Sequence, residues 1–356
     1  MSSERNNTID IARGLGLIAV SVYHLVYRAK DSIADQFIRE CIWLVIPFFF
    51  VVSGYNYVSG KRTLKQNIVH RLQSLLFKTL KYTLVLLALG GVYCVVVHDY
   101  TIKDWLRDII FTYLRPEFSA IVLPEWGYGG ILFENISVVW FVWTMIFAYI
   151  IFYLVVEFAL KSKLNSFLCV VIFLFIGISL YDIADKISWS LTLTPVYAAI
   201  MLCGVYVAKI SSKLKQNIWL ALVAVVIHVL MFKFFGSDLI CYSKLGTVGK
   251  WSVIPFFVQA FIGTYALIVL CRILAKFNIL SRIFAFIGRN SLSFLLLHCA
   301  FGVIFADIMN TYIKPGPYWY IDVTPEIFVK SLIGWLLSMI CCSIFCIVRE
   351  KLRNVD

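Results

Sequence analysis

The sequence predicts an all-α, polytopic membrane protein with about ten transmembrane helices and both termini in the cytoplasm. Three observations carry that expectation. Apolar residues make up 61% of the 356 and charged residues only 15%, against roughly half and a quarter in a soluble domain. The apolar residues fall in long runs spread evenly along the chain. Bases and acids then alternate between the runs, turn by turn. This composition excludes an ordinary cytosolic enzyme, a disordered chain and a nucleic-acid binder. The net charge of +12 is that of basic cytoplasmic turns.

A hydrocarbon core about 30 Å thick needs about 20 apolar helical residues. The runs that meet this are 9–27, 37–58, 74–97, 137–160, 164–181, 189–208, 217–235, 251–271, 290–308 and 326–348. The first starts behind a polar stretch, contains an arginine and lacks a small-residue cleavage site, so it reads as a retained span. Pro47, the Gly90-Gly91 pair, Pro195 and Pro255 interrupt later runs, as membrane helices tolerate when neighbours satisfy the freed backbone groups. With the N-terminus inside, the cytoplasmic segments hold Lys61, Arg62, Lys65 and Arg71, then Lys161 and Lys163, then Lys209, Lys213 and Lys215. Arg272, Lys276 and Arg282 follow, and finally Arg349, Lys351 and Arg353. Most acids, among them Asp31, Asp99, Asp104, Asp108, Glu117, Glu134 and Asp185, fall outside. Residues 1–356 read as a single integral-membrane domain.

The outer connection 98–136 is too long for a turn. Ile102, Trp105, Leu106, Ile109, Ile110 and Tyr113 recur at helical spacing opposite Lys103, Asp104, Arg107 and Asp108, the pattern of an interfacial amphipathic helix. It leads into a turn-rich stretch in which Trp126 and Tyr128 offer aromatic faces suited to a sugar. The ten cysteines show no CxxC and no Cys/His metal spacing, so they read as packing residues and no metal is expected.

Ionisable groups inside spans are costly and mark candidate sites. The first run holds Asp10, Arg13 and His24. At about 100° per residue, the eleven-residue step from Arg13 to His24 ends about 20° past three full turns, so the two share a face, about 16 Å apart along the helix. Asp10 lies one turn before Arg13 on the same side. An ion pair plus an imidazole bonded to a neighbouring helix accounts for this stripe as well as a catalytic site does. In the second run Pro47 precedes Ser53-Gly54-Tyr55, a small hydroxyl beside a close-approach residue. Arg71, Lys78 and Lys81 carry positive charge into the third run and would suit a phosphate ligand. Trp140-Phe141 and the stretch Gly288-Arg289-Asn290-Ser291-Leu292 through His298 are the later polar or aromatic landmarks. Glu157 and Lys161 form an i,i+4 pair read as structural, and His228 is read as core.

Ile9-Asp10-Ile11-Ala12-Arg13-Gly14-Leu15-Gly16 followed by His24 resembles the opening signature of the membrane acyltransferase-3 family. Phe48-Phe49-Phe50-Val51-Val52-Ser53-Gly54-Tyr55, Trp140-Phe141 and Gly288 to His298 resemble its later landmarks, in order over nearly the whole chain. The likeness is nearest to the polysaccharide O-acetylases. The resemblance implies a multi-pass enzyme of the bacterial plasma (inner) membrane. It would move an acetyl group from cytoplasmic acetyl-CoA to a hydroxyl of an extracytoplasmic or lipid-linked carbohydrate, without a metal. Its partners would be the bilayer and the carbohydrate acceptor, with no nucleic acid. The family's essential Arg and His carry over onto Arg13 and His24, with Asp10 orienting Arg13. The family's Arg-x-x-Arg is incomplete: Arg71 matches its second arginine, while Ile68 stands at the first. Arg71, Lys78 and Lys81 are therefore the candidate acyl-CoA contacts. Ser53, Tyr55, Trp140, Asn290, Ser291 and His298 are expected in support, and Trp126 and Tyr128 at the acceptor. A multi-span transporter of a small solute or lipid-linked sugar explains the spans and buried charges equally well, but not the ordered motifs.

Overall fold

The computed structural model describes residues 7–26, 28–29, 45–97, 101–106, 109, 139–181, 183, 191–211, 217–235, 249–309, 320–321 and 324–353. Trp126, Tyr128 and most of the 98–136 connection lie outside these residues. The described chain is almost wholly helical. Its helices are α1 (Asn7–Leu25), α2 (Val45–Tyr55), α3 (Leu64–Arg71), α4 (Phe77–Val97), α5 (Val139–Ala159) and α6 (Lys163–Ser179). They continue with α7 (Thr194–Ile210), α8 (Ile218–Phe235), α9 (Val253–Leu274), α10 (Asn278–Arg289), α11 (Ser291–Ile308) and α12 (Pro325–Arg353). One parallel pair of two-residue strands, β1 (Arg28–Ala29) and β2 (Tyr320–Ile321), sets Arg28 opposite Tyr320 and Ala29 opposite Ile321.

The helix boundaries follow local chemistry. Thr63 opens α3 with a capping box: its hydroxyl accepts from the Gln66 backbone N–H, and the Gln66 side chain accepts from the Thr63 N–H. One π-helical turn, Leu72–Leu76, joins α3 to α4 immediately after Arg71. Ser162 caps α6, and Pro195 occupies the first turn of α7, where its missing N–H costs nothing. At Asn290 the chain bends by 87° between α10 and α11.

Among the described residues, five helices are long and apolar enough to cross a membrane: Leu64–Tyr93, Phe141–Ala159, Ile218–Phe235, Gly249–Leu274 and Pro325–Leu352. A sixth appears if the bent α10–α11 pair counts as one span. Val45–Tyr55, Lys163–Ser179 and Thr194–Ile210 are apolar but shorter. The chain is a helical, multi-pass membrane protein.

Packing divides it into two units, each assembled from separated stretches. The first takes Met1–Ile42, Thr79–Val139 and Asn278–Asp356; the second takes Trp43–Lys78 and Trp140–Phe277. In the first, α1 lies on α10 at backbone contact. A Cβ on Gly14 would stand 1.9 Å from the Phe284 carbonyl oxygen, and one on Gly288 would stand 1.8 Å from that of Asp10. Only glycine admits so close a crossing. Leu17, Ile287, Phe294, Leu297, Met339, Cys342 and Cys346 pack the core beside it, so these thiols serve as small apolar side chains. The Trp105 indole packs over Gly91 and donates to the Leu87 carbonyl at 2.9 Å, which pins the short helical turn 102–106 to α4.

The second unit repeats the device. A Cβ on Gly54 would meet the Met201 carbonyl oxygen at 1.8 Å, and one on Gly204 would meet that of Val51 at 2.3 Å. Helices α2 and α7 therefore touch at their backbones, with Phe50 stacked on Tyr197 at 4.0 Å between ring centroids.

Candidate active site

The polar residues of α1 stand at its two ends. Near the start Asp10 is 3% exposed, and its Oδ1 lies 3.8 Å from Arg13 Nη1. Asn7 donates to Ser281 Oγ at 3.4 Å and adds a second tie to α10 beside the glycine crossing. His24 occupies the last turn, about 16 Å further along. The structure therefore brings Asp10 to Arg13 but not either of them to His24.

His24 meets a second imidazole. Its ring centroid lies 5.6 Å from that of His298 on α11, and the Tyr23 ring approaches it edge-on at 5.4 Å. His298 is 1% exposed, whereas His24 is half-buried. His298 Nδ1 lies 2.9 Å from the Phe294 carbonyl oxygen. A carbonyl can only accept, so Nδ1 carries the proton and Nε2 holds the lone pair. That lone pair faces the Cys299 thiol at 3.2 Å. Both ring nitrogens of His298 are thus engaged by its own helix, which fixes the plane of the ring against His24.

Asn290 lies at the α10–α11 bend, 4% exposed. Its amide nitrogen donates to the Phe286 carbonyl at 3.2 Å and to Glu350 Oε1 at 3.0 Å, while its oxygen accepts from Arg349 Nη2 at 2.6 Å. Arg349 Nη1 donates to Ser293 Oγ at 2.5 Å and to Tyr82 OH at 3.1 Å, and those two hydroxyls lie 3.0 Å apart. Ser291, expected in support, is half-buried at the first position of α11, and it is Ser293 that bonds to Arg349. The sequence reading missed Arg349, Ser293, Tyr82 and Glu350. Asn290 and Ser293 were visible as polar residues in an apolar run, but Arg349 and Glu350 look like part of a solvated tail.

In the second unit Arg71 is firmly held. Its Nε donates to Tyr153 OH at 3.0 Å, and its guanidinium lies 4.2 Å from the Tyr149 ring centroid. Lys78 and Lys81 are exposed along α4. The Ser53 hydroxyl donates to the Phe49 carbonyl at 2.7 Å, and Tyr55 OH donates to Ser211 at 3.4 Å. Trp140 lies in the first turn of α5, and its side chain is outside the described structure. Glu157 closes the turn after α2: it accepts from Tyr57 OH at 2.5 Å, Ser59 Oγ at 2.8 Å and the Gly60 N–H at 3.4 Å. His228 is buried, and the Gln259 amide donates to its carbonyl.

A family model described as an acyltransferase domain matches residues 6–348, a stretch that runs through both units. No curated protein and no solved structure matches the chain.

Proposed function

The chain belongs to the acyltransferase-3 family, and we propose that it moves an acetyl group from cytoplasmic acetyl-CoA to a hydroxyl of an extracytoplasmic or lipid-linked carbohydrate. In this reading it is an inner-membrane O-acetyltransferase of a bacterial cell, with ten spans and both termini inside. Acyl transfer at a membrane follows from the family. The acetyl donor and the carbohydrate acceptor are the proposal.

The observation that carries it is the half-buried imidazole of His24 set against a ring that α11 holds in place. A neutral imidazole is the ordinary general base near neutral pH. The acceptor hydroxyl would give its proton to His24 as its oxygen attacks the thioester carbonyl. The carbon–sulfur bond then breaks, the CoA thiolate leaves, and the imidazolium returns the proton to that sulfur. An axial distance of about 16 Å keeps Arg13 from the charge developing beside His24. We therefore give the Asp10–Arg13 pair to the donor side, where a held guanidinium suits an anionic or carbonyl group. Arg71 is the best-fixed of the three cations proposed for donor phosphates.

The test uses purified full-length protein, acetyl-CoA and a carbohydrate acceptor, with free CoA and acceptor mass as readouts. Loss of a general base lowers turnover by about 10²–10⁴-fold. His24→Ala should therefore remove acceptor-dependent CoA release and the added acetyl mass. Unchanged acetylation in that variant would take His24 out of the mechanism. Solute flux without thioester turnover by the wild-type protein would replace the reading with a transporter.

A further inference from the structure

Arg349 does something a basic tail residue does not. It leaves the last turns of α12 and holds residues of α4, the α10–α11 bend and α11 together. Its bonds go to three neutral oxygens, and among the described residues no carboxylate pairs with it directly. Glu350 reaches it only through the Asn290 amide. A guanidinium presents its donors in a rigid planar fork, so three acceptors on three elements are held at fixed angles as well as distances.

The groups it holds flank the two halves of the candidate site. Asn290 is bonded back to Phe286 in the last turn of α10, two residues before Gly288, whose backbone rests on the Asp10 carbonyl. Ser293 directly precedes Phe294, whose carbonyl sets the ring of His298 against His24. One fork thus fixes the bend from both sides. The bend in turn relates the Asp10–Arg13 end of α1 to its His24 end.

We infer that Arg349 is a positioning residue for acyl transfer, acting through Asn290 and Ser293 on both polar ends of α1; this rests on the acyltransferase reading. A lysine at this place would keep the charge but lose the fork.

The experiment compares wild-type full-length protein with Arg349→Lys, Tyr82→Phe, Asn290→Ala and the Arg349→Lys/Asn290→Ala double variant. Tyr82→Phe removes one acceptor and leaves the guanidinium in place, which guards against a variant that fails to fold. Steady-state kinetics with acetyl-CoA and acceptor should show kcat down by about tenfold or more in Arg349→Lys, with KM for acetyl-CoA within about twofold. Tyr82→Phe should fall in the same direction by less. The double variant should be no worse than its poorer single, because the two residues act as one unit. Unchanged kcat, additive losses, or a raised KM for acetyl-CoA with kcat intact would each overturn the inference. Hydrogen exchange supplies a readout independent of activity: Arg349→Lys should speed exchange across 286–298 and leave α7 unchanged. Unaltered exchange at the bend would also overturn it. If the wild-type protein releases no CoA with any carbohydrate acceptor, the proposed acetyl-to-carbohydrate reaction fails, and the exchange experiment alone decides whether Arg349 positions the bend.

Discussion

His24 and His298 have the same side chain and opposite constraints. His298 is buried with both nitrogens engaged along α11, while His24 ends a helix and keeps a partly open face. In the proposed mechanism that asymmetry suits His24 to proton transfer and His298 to orienting it. Arg71 shows a similar division between fork and charge. Arg71→Lys keeps the cation but loses the Nε donor to Tyr153 and most of the stacking on Tyr149. Its KM for acetyl-CoA should rise by about tenfold, close to that of Arg71→Ala, in the CoA-release assay. A KM for Arg71→Lys equal to wild type would mean that charge alone matters there. Asp10, Arg13 and His24 were legible in the sequence because charge inside an apolar run is expensive, so each stood out singly. Arg349 was not legible. Its partners Tyr82, Asn290 and Ser293 are far from it in sequence, and no local spacing records a contact between distant helices.

At the scale of elements, two pairs of glycines set where helices cross. Gly14 and Gly288 bring α1 onto α10, and Gly54 and Gly204 bring α2 onto α7. Gly288→Ala puts a methyl group into the Asp10 carbonyl, so α1 must shift or α10 must tilt. Overpacking of this kind costs about 1–3 kcal/mol. The melting temperature in detergent should fall, and acyl transfer should fall with it. A fully stable and active Gly288→Ala would show that the crossing tolerates separation. The same helix explains a difference from the sequence reading. Residues 272–289 looked like a basic inner loop, but 278–289 form α10, which buries Ser281, Ala285, Ile287 and Gly288. That buried face is mostly small residues, so it carries little of the apolar signal by which spans are recognised. Gly54 was legible as a close-approach residue, whereas the partner helix of Gly14 was not.

Across the whole molecule, charge alternation and run length supported ten spans, while length and apolarity among the described residues support five or six. Two of the runs form helices of 17 residues, α6 and α7, at the lower limit of a crossing helix. Their placement is a question for topology mapping. With both ends inside, cysteines introduced at Lys163 and Lys215 should be labelled only after the membrane is opened to the cytoplasmic side. Cysteines introduced at Lys103 should react from outside in intact cells. Outside labelling at Lys163 would break the ten-span arrangement at its fourth crossing, 137–160.

The first unit draws α1 from one end of this sequence and α10, α11 and α12 from the other. At ribosomal speeds of about 5–20 residues per second, α1 leaves the exit tunnel on the order of tens of seconds before its partner helix exists. During that wait the Asp10 carbonyl has no Gly288 against it, and His24 has no second ring. What α1 does have from the outset is the contact between Asp10 and Arg13, made within one turn of its own backbone. In the proposed ten-span arrangement, an acid and a base one turn apart would lower the cost of holding this helix in lipid until translation delivers the surface it meets.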